Sequence, residues 1–278
     1  MKKIISIISL VLMCSMLLVA CGDDVKETKN DTTIPDISAP ISTVEVEQPT
    51  ETAEDYMSFD KSKVIALTFD DGPATNGDSK GEGEKSSTER ILDCLEKYNC
   101  KATFFVQGVN CEYTEFKERN SALVKREHDL GMQIGNHSYD HPYFNKISTD
   151  EIKSQISKAS DIIENAAGDG YKVEIMRTPG GAEKQSVKDA IDMPIILWDI
   201  DTLDWDTKDA DNTYNVIMNN VKGGSIVLMH DLYQATADAV ERVVPDLVQQ
   251  GYKLVTIDEL FKIYGKELEP HKTYYDAR

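Results

Sequence analysis

From Lys63 onward, short β-branched or apolar runs alternate with longer stretches whose apolar positions recur at helical spacing. The runs fall at 64–69, 102–106, 132–135, 173–176, 195–198, 225–229 and 253–257. The helical stretches cover 88–97, 116–130, 149–166, 183–191, 213–221, 235–250 and 258–264. Ser148 or Thr149 with Glu151 close behind reads as an N-cap with an acidic first turn. Seven strand–helix repeats in strict alternation imply a parallel sheet with right-handed crossovers. The pattern fits one barrel-like α/β domain of about seven parallel strands better than two small domains. That domain is expected over 61–278. No fixed-length repeat and no G-x-G-x-x-G fingerprint interrupts it.

The N-terminus follows another pattern. Met1-Lys2-Lys3 precedes an apolar run from Ile4 to Ala20, the plan of a signal peptide over 1–20. The run ends in Leu18-Val19-Ala20-Cys21, which resembles a bacterial lipoprotein box with Cys21 as the lipidated first residue of the mature chain. An ordinary cleaved signal or an uncleaved anchor is the alternative. Residues 21–60 then form an acidic linker. Within them, residues 22–58 hold ten Asp and Glu against two Lys, and their sparse apolar positions show no period, so disorder is expected. Lipid chains supply membrane affinity, which implies a lipid-anchored protein at the outer face of a bacterial cytoplasmic membrane.

Charge adds an exclusion. The net charge is −19, which argues against nucleic acid as a partner, since phosphate neutralisation needs clustered Lys and Arg. The stretch 22–58 carries −8 of it (2 − 10), so the acidity says little about a site within the folded part. Three cysteines remain there: Cys94, Cys100 and Cys111. An odd count is no disulfide framework, although an exported chain could bridge Cys94 to Cys100. Nothing in the sequence points to a protein partner.

Chemistry gathers at the carboxyl ends of the predicted strands, the face that holds the active site in a parallel α/β barrel. Strand one ends in Asp70-Asp71-Gly72-Pro73, and strand three runs into His137-Ser138-Tyr139-Asp140-His141-Pro142. The fourth leads to Arg177-Thr178-Pro179-Gly180-Gly181, the fifth to Asp199, Asp201, Asp204 and Trp205, and the sixth to His230-Asp231. His137 and His141 are four apart, so on a helical turn both imidazoles would face one divalent metal. Imidazole with carboxylate suits zinc or a neighbouring transition metal. One of Asp70 and Asp71 would complete the site while the other stays free as a base. A metal beside a free carboxylate is a hydrolase arrangement, because it lowers the pKa of water to about 7 and polarises a carbonyl. Arg177 would orient and keep ionised one of the carboxylates, or form an ordinary structural ion pair. Gly180 and Gly181 bring backbone N–H groups to the rim, as an oxyanion site requires. An acidic partner would hold His230 protonated as a general acid. The aspartates between 199 and 211 lack the spacing and glycine of an EF-hand and read as loop and helix-start acids.

Taken together, Thr68-Phe69-Asp70-Asp71-Gly72-Pro73, His137-Ser138-Tyr139-Asp140-His141, Arg177-Thr178-Pro179-Gly180-Gly181, Asp201-Thr202-Leu203-Asp204-Trp205 and Leu228-Met229-His230 resemble, in order, the five motifs of the polysaccharide deacetylase family. This is the NodB-like homology domain, or carbohydrate esterase family 4, and the resemblance covers roughly 61–265. It implies a distorted (β/α) barrel and metal-dependent removal of acetyl groups from an N-acetylated sugar. Carried over, Asp70 would be the base, and Asp71, His137 and His141 the metal ligands. The metal would be zinc, with cobalt, nickel or manganese as alternatives. Arg177 would orient Asp70, and His230 would protonate the leaving amine, tuned by Asp204 or, second, Asp201. Trp205 and Leu228 would line the pocket for the acetyl methyl, and the Gly180 N–H would face the oxyanion.

Two departures stand out. The family often carries a bulkier residue at Gly180, so a groove wall is expected to be lost. The link 74–88 is also longer than usual, either a flexible lid or a tolerated insertion. The implied substrate is N-acetylglucosamine of cell-wall peptidoglycan. A chito-oligosaccharide or acetyl-xylan deacetylase is the alternative within the class, and an inactive glycan-binding wall protein is the alternative outside it.

Overall fold

The computed structural model describes residues 59–74, 85–112 and 115–278, which belong to one compact unit. The signal peptide, Cys21 and nearly all of the acidic linker lie outside the described residues, as does 75–84 of the long link.

Strand β1 (Val64–Asp70) is buried at all seven positions, as expected of a central parallel strand covered on both faces. Its neighbours are β2 (Thr103–Val106) and β6 (Ile226–His230), both parallel, and β7 (Lys253–Leu254) joins its start. Outward from β2 lies β3 (Gln133–Asn136), and outward from β6 lies β5 (Ile200–Asp201). The order β3-β2-β1-β6-β5 is thus parallel throughout, as the alternating pattern implied.

The expected strand at 173–176 narrows to single bridges at Met176, from Asn136 on one side to Ile195 on the other. Met176 N–H donates to Pro194 O and Met176 O accepts from Ile196 N–H, but Pro194 has no N–H to carry the pairing on toward Glu174, so the ladder stops at a single bridge. Beyond it lies β4 (Ile195–Ile196), paired with β8 (Thr273–Tyr274), a C-terminal strand the sequence pattern did not reveal. The sheet therefore curves round as a distorted barrel, with β8 and a bridge from Asp276 to Ser225 filling the side between β4 and β6.

Helices α1 (Ser87–Lys97), α2 (Gly108–Glu112), α3 (Lys117–Asp129), α4 (Thr149–Ala167), α5 (Gln185–Lys188), α6 (Asp204–Thr207), α7 (Ala210–Asn220), α8 (Gln234–Gln249) and α9 (Ile257–Tyr264) complete the alternation. Of the two cap candidates, Ser148 is the N-cap of α4, and Glu151 in the acidic first turn returns the bond to complete a capping box. Ser86 with Glu89 does the same for α1. Helices α1, α3, α4 and α8 supply apolar faces to one core around Ile65, Leu67, Phe69 and Phe104. Cys94, Cys100 and Cys111 are buried and free, so the Cys94–Cys100 bridge is not formed. Burial pushes all three thiols up, to about 11 or 12.

Candidate active site

The centre of the barrel is filled by a charged side chain. Arg177 is fully buried between Phe105 and Trp198, its guanidinium carbon 4.2 and 5.5 Å from their ring centroids. Its Nε donates to Ile196 O (2.9 Å), Nη2 to Leu197 O (3.0 Å), and Nη1 to Thr68 Oγ1 (2.8 Å) and Asp70 Oδ1 (2.7 Å). A buried guanidinium needs this number of acceptors to offset lost hydration. The consequence falls on Asp70, itself 3% exposed, whose Oδ1 is fixed and whose Oδ2 faces His137 Nε2 at 3.6 Å.

Adjacent strand residues alternate faces, so Asp71 would turn away from Asp70 if β1 continued. The chain instead enters the left-handed region at Asp71 (φ 73°) and reverses through Gly72-Pro73. Asp71 Oδ1 then lies 3.3 Å from His137 Nε2 and 3.5 Å from His141 Nε2. Gln107 Nε2 donates to the same oxygen at 2.5 Å, and Asn110 Nδ2 holds the carbonyls of Asp71 and Gly72. Burial works against the charged form of Asp71, yet the bond and charge of His137, with His141 beside it, hold its carboxyl well below the usual range.

The histidines meet, but not on a helix. Residues 137–141 form a tight loop with Ser138 (φ 67°) and His141 (φ 59°) in the left-handed region, and Ser138 Oγ accepts the His141 N–H. The imidazole centroids are 5.0 Å apart. His137 Nδ1 bonds Arg177 O at 2.8 Å, which selects the tautomer with Nε2 turned to Asp71. Asp71 Oδ1 with the two histidine nitrogens is thus a convergent donor set of the kind zinc and its neighbours take.

On the far side of β1, in register with Asp70, stands His230. Its Nδ1 bonds Asp204 Oδ1 (2.9 Å), while Asp204 Oδ2 accepts from the His230 N–H and from Thr236 Oγ1, both at 2.7 Å. Burial disfavours the imidazolium, but the Asp204 bond and charge prevail and lift His230 to about 9. Of the two aspartates considered for this task, Asp204 is the one in contact. Asp201 Oδ1 instead accepts the Leu203 N–H.

Three expectations change. Asp199 lies at the opposite end of the strands, bonded to Ser225, Ile226 and Arg278 at the start of β6. Gly181 donates its N–H to Thr178 O within the turn Pro179–Gly181, so of the two glycine donors only Gly180 N–H has no acceptor among the described residues. And the space beside Gly180 is not open: a Cβ there would lie 2.9 Å from the Tyr143 ring. Leu228 is buried, and Trp205 is 48% exposed beside Asp204. Asp209 caps α7 and Asp211 pairs with Arg242, the helix-start roles expected of them.

Sequence reasoning passed over Gln107, Asn110, Tyr143 and Thr236, polar or aromatic side chains that carry no spacing signal. It also gave no role to Asp231. Burial pushes that carboxyl up to about 7, and it packs against Gly72 while accepting from Thr88 Oγ1.

A family model described as Polysaccharide deacetylase matches residues 59–194. The peptidoglycan-N-acetylglucosamine deacetylase PgdA of Listeria monocytogenes is 40% identical over 215 residues, 77% of this chain and 42% of the relative. A peptidoglycan-N-acetylglucosamine deacetylase of Bacillus cereus is 35% identical over 205 residues, 71% of this chain and 68% of the relative. Among solved structures, a family 4 acetyl xylan esterase from Clostridium thermocellum with a cobalt ion superposes with a TM-score of 0.67 at 30% identity, covering 77% of this chain and 98% of that one. The chain belongs to the polysaccharide deacetylase family. It spans about two fifths of the length of the Listeria relative.

Proposed function

We propose that the chain is a metal-dependent hydrolase that removes N-acetyl groups from N-acetylglucosamine in cell-wall peptidoglycan. The observation that carries this reading is the flanking of Asp70 by two unlike groups. On one side stand the Asp71, His137 and His141 donors, and on the other the Asp204-supported His230. A divalent metal held by Asp71, His137 and His141 would supply Lewis-acid polarisation of the acetamide carbonyl and a more acidic water.

The remaining steps belong to the chain. Asp70, with Oδ1 pinned by Arg177, takes a proton from water on Oδ2 as the water oxygen bonds to the carbonyl carbon. The Gly180 N–H faces the oxygen on which negative charge develops. His230 has Nδ1 committed to Asp204 and gives the Nε2 proton to the departing nitrogen as the C–N bond breaks, leaving acetate and a free amine.

Peptidoglycan is the favoured substrate because two similar proteins carry that activity in their names. A lipid-anchored chain at the outer face of the cytoplasmic membrane would also meet the wall first. The alternative within the class is a chito-oligosaccharide or acetyl-xylan deacetylase, and the superposition on an acetyl xylan esterase supports its xylan branch.

Acetate release from peptidoglycan, chito-oligosaccharides and acetyl xylan by the detergent-solubilised full chain decides among these. Release is expected to be chelator-sensitive, restored by zinc or cobalt, and about 10³-fold lower in Asp70→Asn. The faster substrate identifies the class. No acetate from any of the three with metal bound would overturn the enzyme reading.

A further inference from the structure

Tyr143 is an exposed aromatic at the rim of the site with no part in the steps above. It is 45% exposed, whereas Phe144 beside it is 1% exposed and packs with Ile152, Met176 and Ala182. Phe144 thereby pins the short turn Phe144–Lys146 to the core and leaves Tyr143 on the outside, two residues beyond His141. The Tyr143 ring reaches Gly180, where it takes the space a side chain would fill. It stands next to the backbone N–H assigned to the oxyanion.

Trp205, 48% exposed, occupies the other flank beside Asp204. The strands that precede these aromatics, β3 and β5, are the two ends of the path β3-β2-β1-β6-β5, and Asp70 ends the middle strand. The loops that follow these two strands, which carry Tyr143 and Trp205, thus lie to either side of Asp70 along the sheet.

We propose that Tyr143 is a specificity-determining residue, a stacking wall for the pyranose ring that neighbours the reacting sugar on the His141 side. This rests on the glycan-deacetylase reading. A pyranose presents a face of C–H groups, which packs on an aromatic face while its hydroxyls stay in water. A half-exposed ring beside the site suits that contact. Because Gly180 has no side chain, the ring can lie against the backbone of the oxyanion turn and sense whether a second sugar is present.

Acetate release from N-acetylglucosamine and from its β-1,4-linked tetramer tests this in the full chain, with Tyr143→Ala and Tyr143→Phe. Tyr143→Ala is expected to raise KM for the tetramer about tenfold with kcat within about twofold, the size expected for one half-exposed aromatic contact. The preference for tetramer over monosaccharide should collapse with it, and Tyr143→Phe should restore both. An unchanged KM overturns the proposal, as does a fall confined to kcat, which would mean that the ring only supports the His141 loop. Calorimetric binding of the tetramer to Asp70→Asn, with and without Tyr143→Ala, repeats the comparison without turnover. If the wild-type chain deacetylates no glycan, the functional reading falls, and the calorimetry still decides the role of Tyr143.

Discussion

At the scale of the residue, the candidate site ties down one atom of each of three side chains and leaves the other turned toward its neighbours. Arg177 takes Asp70 Oδ1, its own carbonyl takes His137 Nδ1, and Asp204 takes His230 Nδ1. His230 makes the consequence measurable. Its folded-state pKa is raised from 6.5 to about 9. The stabilisation from the Asp204–His230 pair is therefore full below about pH 6.5 and is lost as pH rises through about 9. In the metal-free protein, NMR titration should find this imidazole near 9. Asp204→Asn should lower it, because the burial that opposes the imidazolium stays while the largest favourable charge is gone, leaving only the weaker pull of Asp70 and Asp71. A His230 that titrates near 6.5 in the wild type would remove the basis for calling it the acid.

At the scale of the element, short connections matter more than the helices. The turn after β1 is held from below by Asp231, whose carbonyl and carboxyl together receive Thr88 and whose carbonyl also receives Ser87 Oγ from the first turn of α1. Ala74 N–H donates to Thr88 Oγ1 as well, so the two ends of the long link are tied together. A Cβ at Gly72 would meet both Asp231 carboxyl oxygens at 2.2 Å. Gly72→Ala should therefore cost about 1–3 kcal/mol in urea unfolding, the usual penalty of overpacking. Adding Asp231→Ala should recover part of the loss in a double-mutant cycle. Independent effects of the two substitutions would show that the carboxyl does not support the turn. The helices were the more legible elements, since α4, α7, α8 and α9 carry clear apolar periods or capping residues. The spacing of His137 and His141 suits a helical turn equally well, because spacing alone does not distinguish a helix from a loop with two left-handed residues.

At the scale of the whole molecule, the chain joins an acidic N-terminal stretch to a barrel whose reactive face is built from five separate segments. The membrane reading rests on the pattern around Cys21, and among the described residues no helix is long and apolar enough to cross a bilayer. Lipidation at Cys21 predicts that the chain sediments with bacterial membranes and is extracted by detergent but not by high salt, because acyl chains supply the affinity. Cys21→Ala should shift it to the soluble or unprocessed fraction. Membrane retention of a processed Cys21→Ala chain would refute the anchor.

The sequence by itself determined the parallel α/β class, the segments that carry the chemistry and the residue types present in them. Alternation, capping residues and short dense motifs are local properties, and local properties survive in a string. Only the tertiary structure decided which member of each set is in contact with the others. It joined Asp204 rather than Asp201 to His230, sent Asp199 to the opposite end of the strands, and spent the Gly181 N–H within its own turn. It also brought the edge of the Tyr143 ring against Gly180, a residue far from it in the chain. These outcomes depend on backbone reversals and on distances between strands, which no spacing in the sequence encodes.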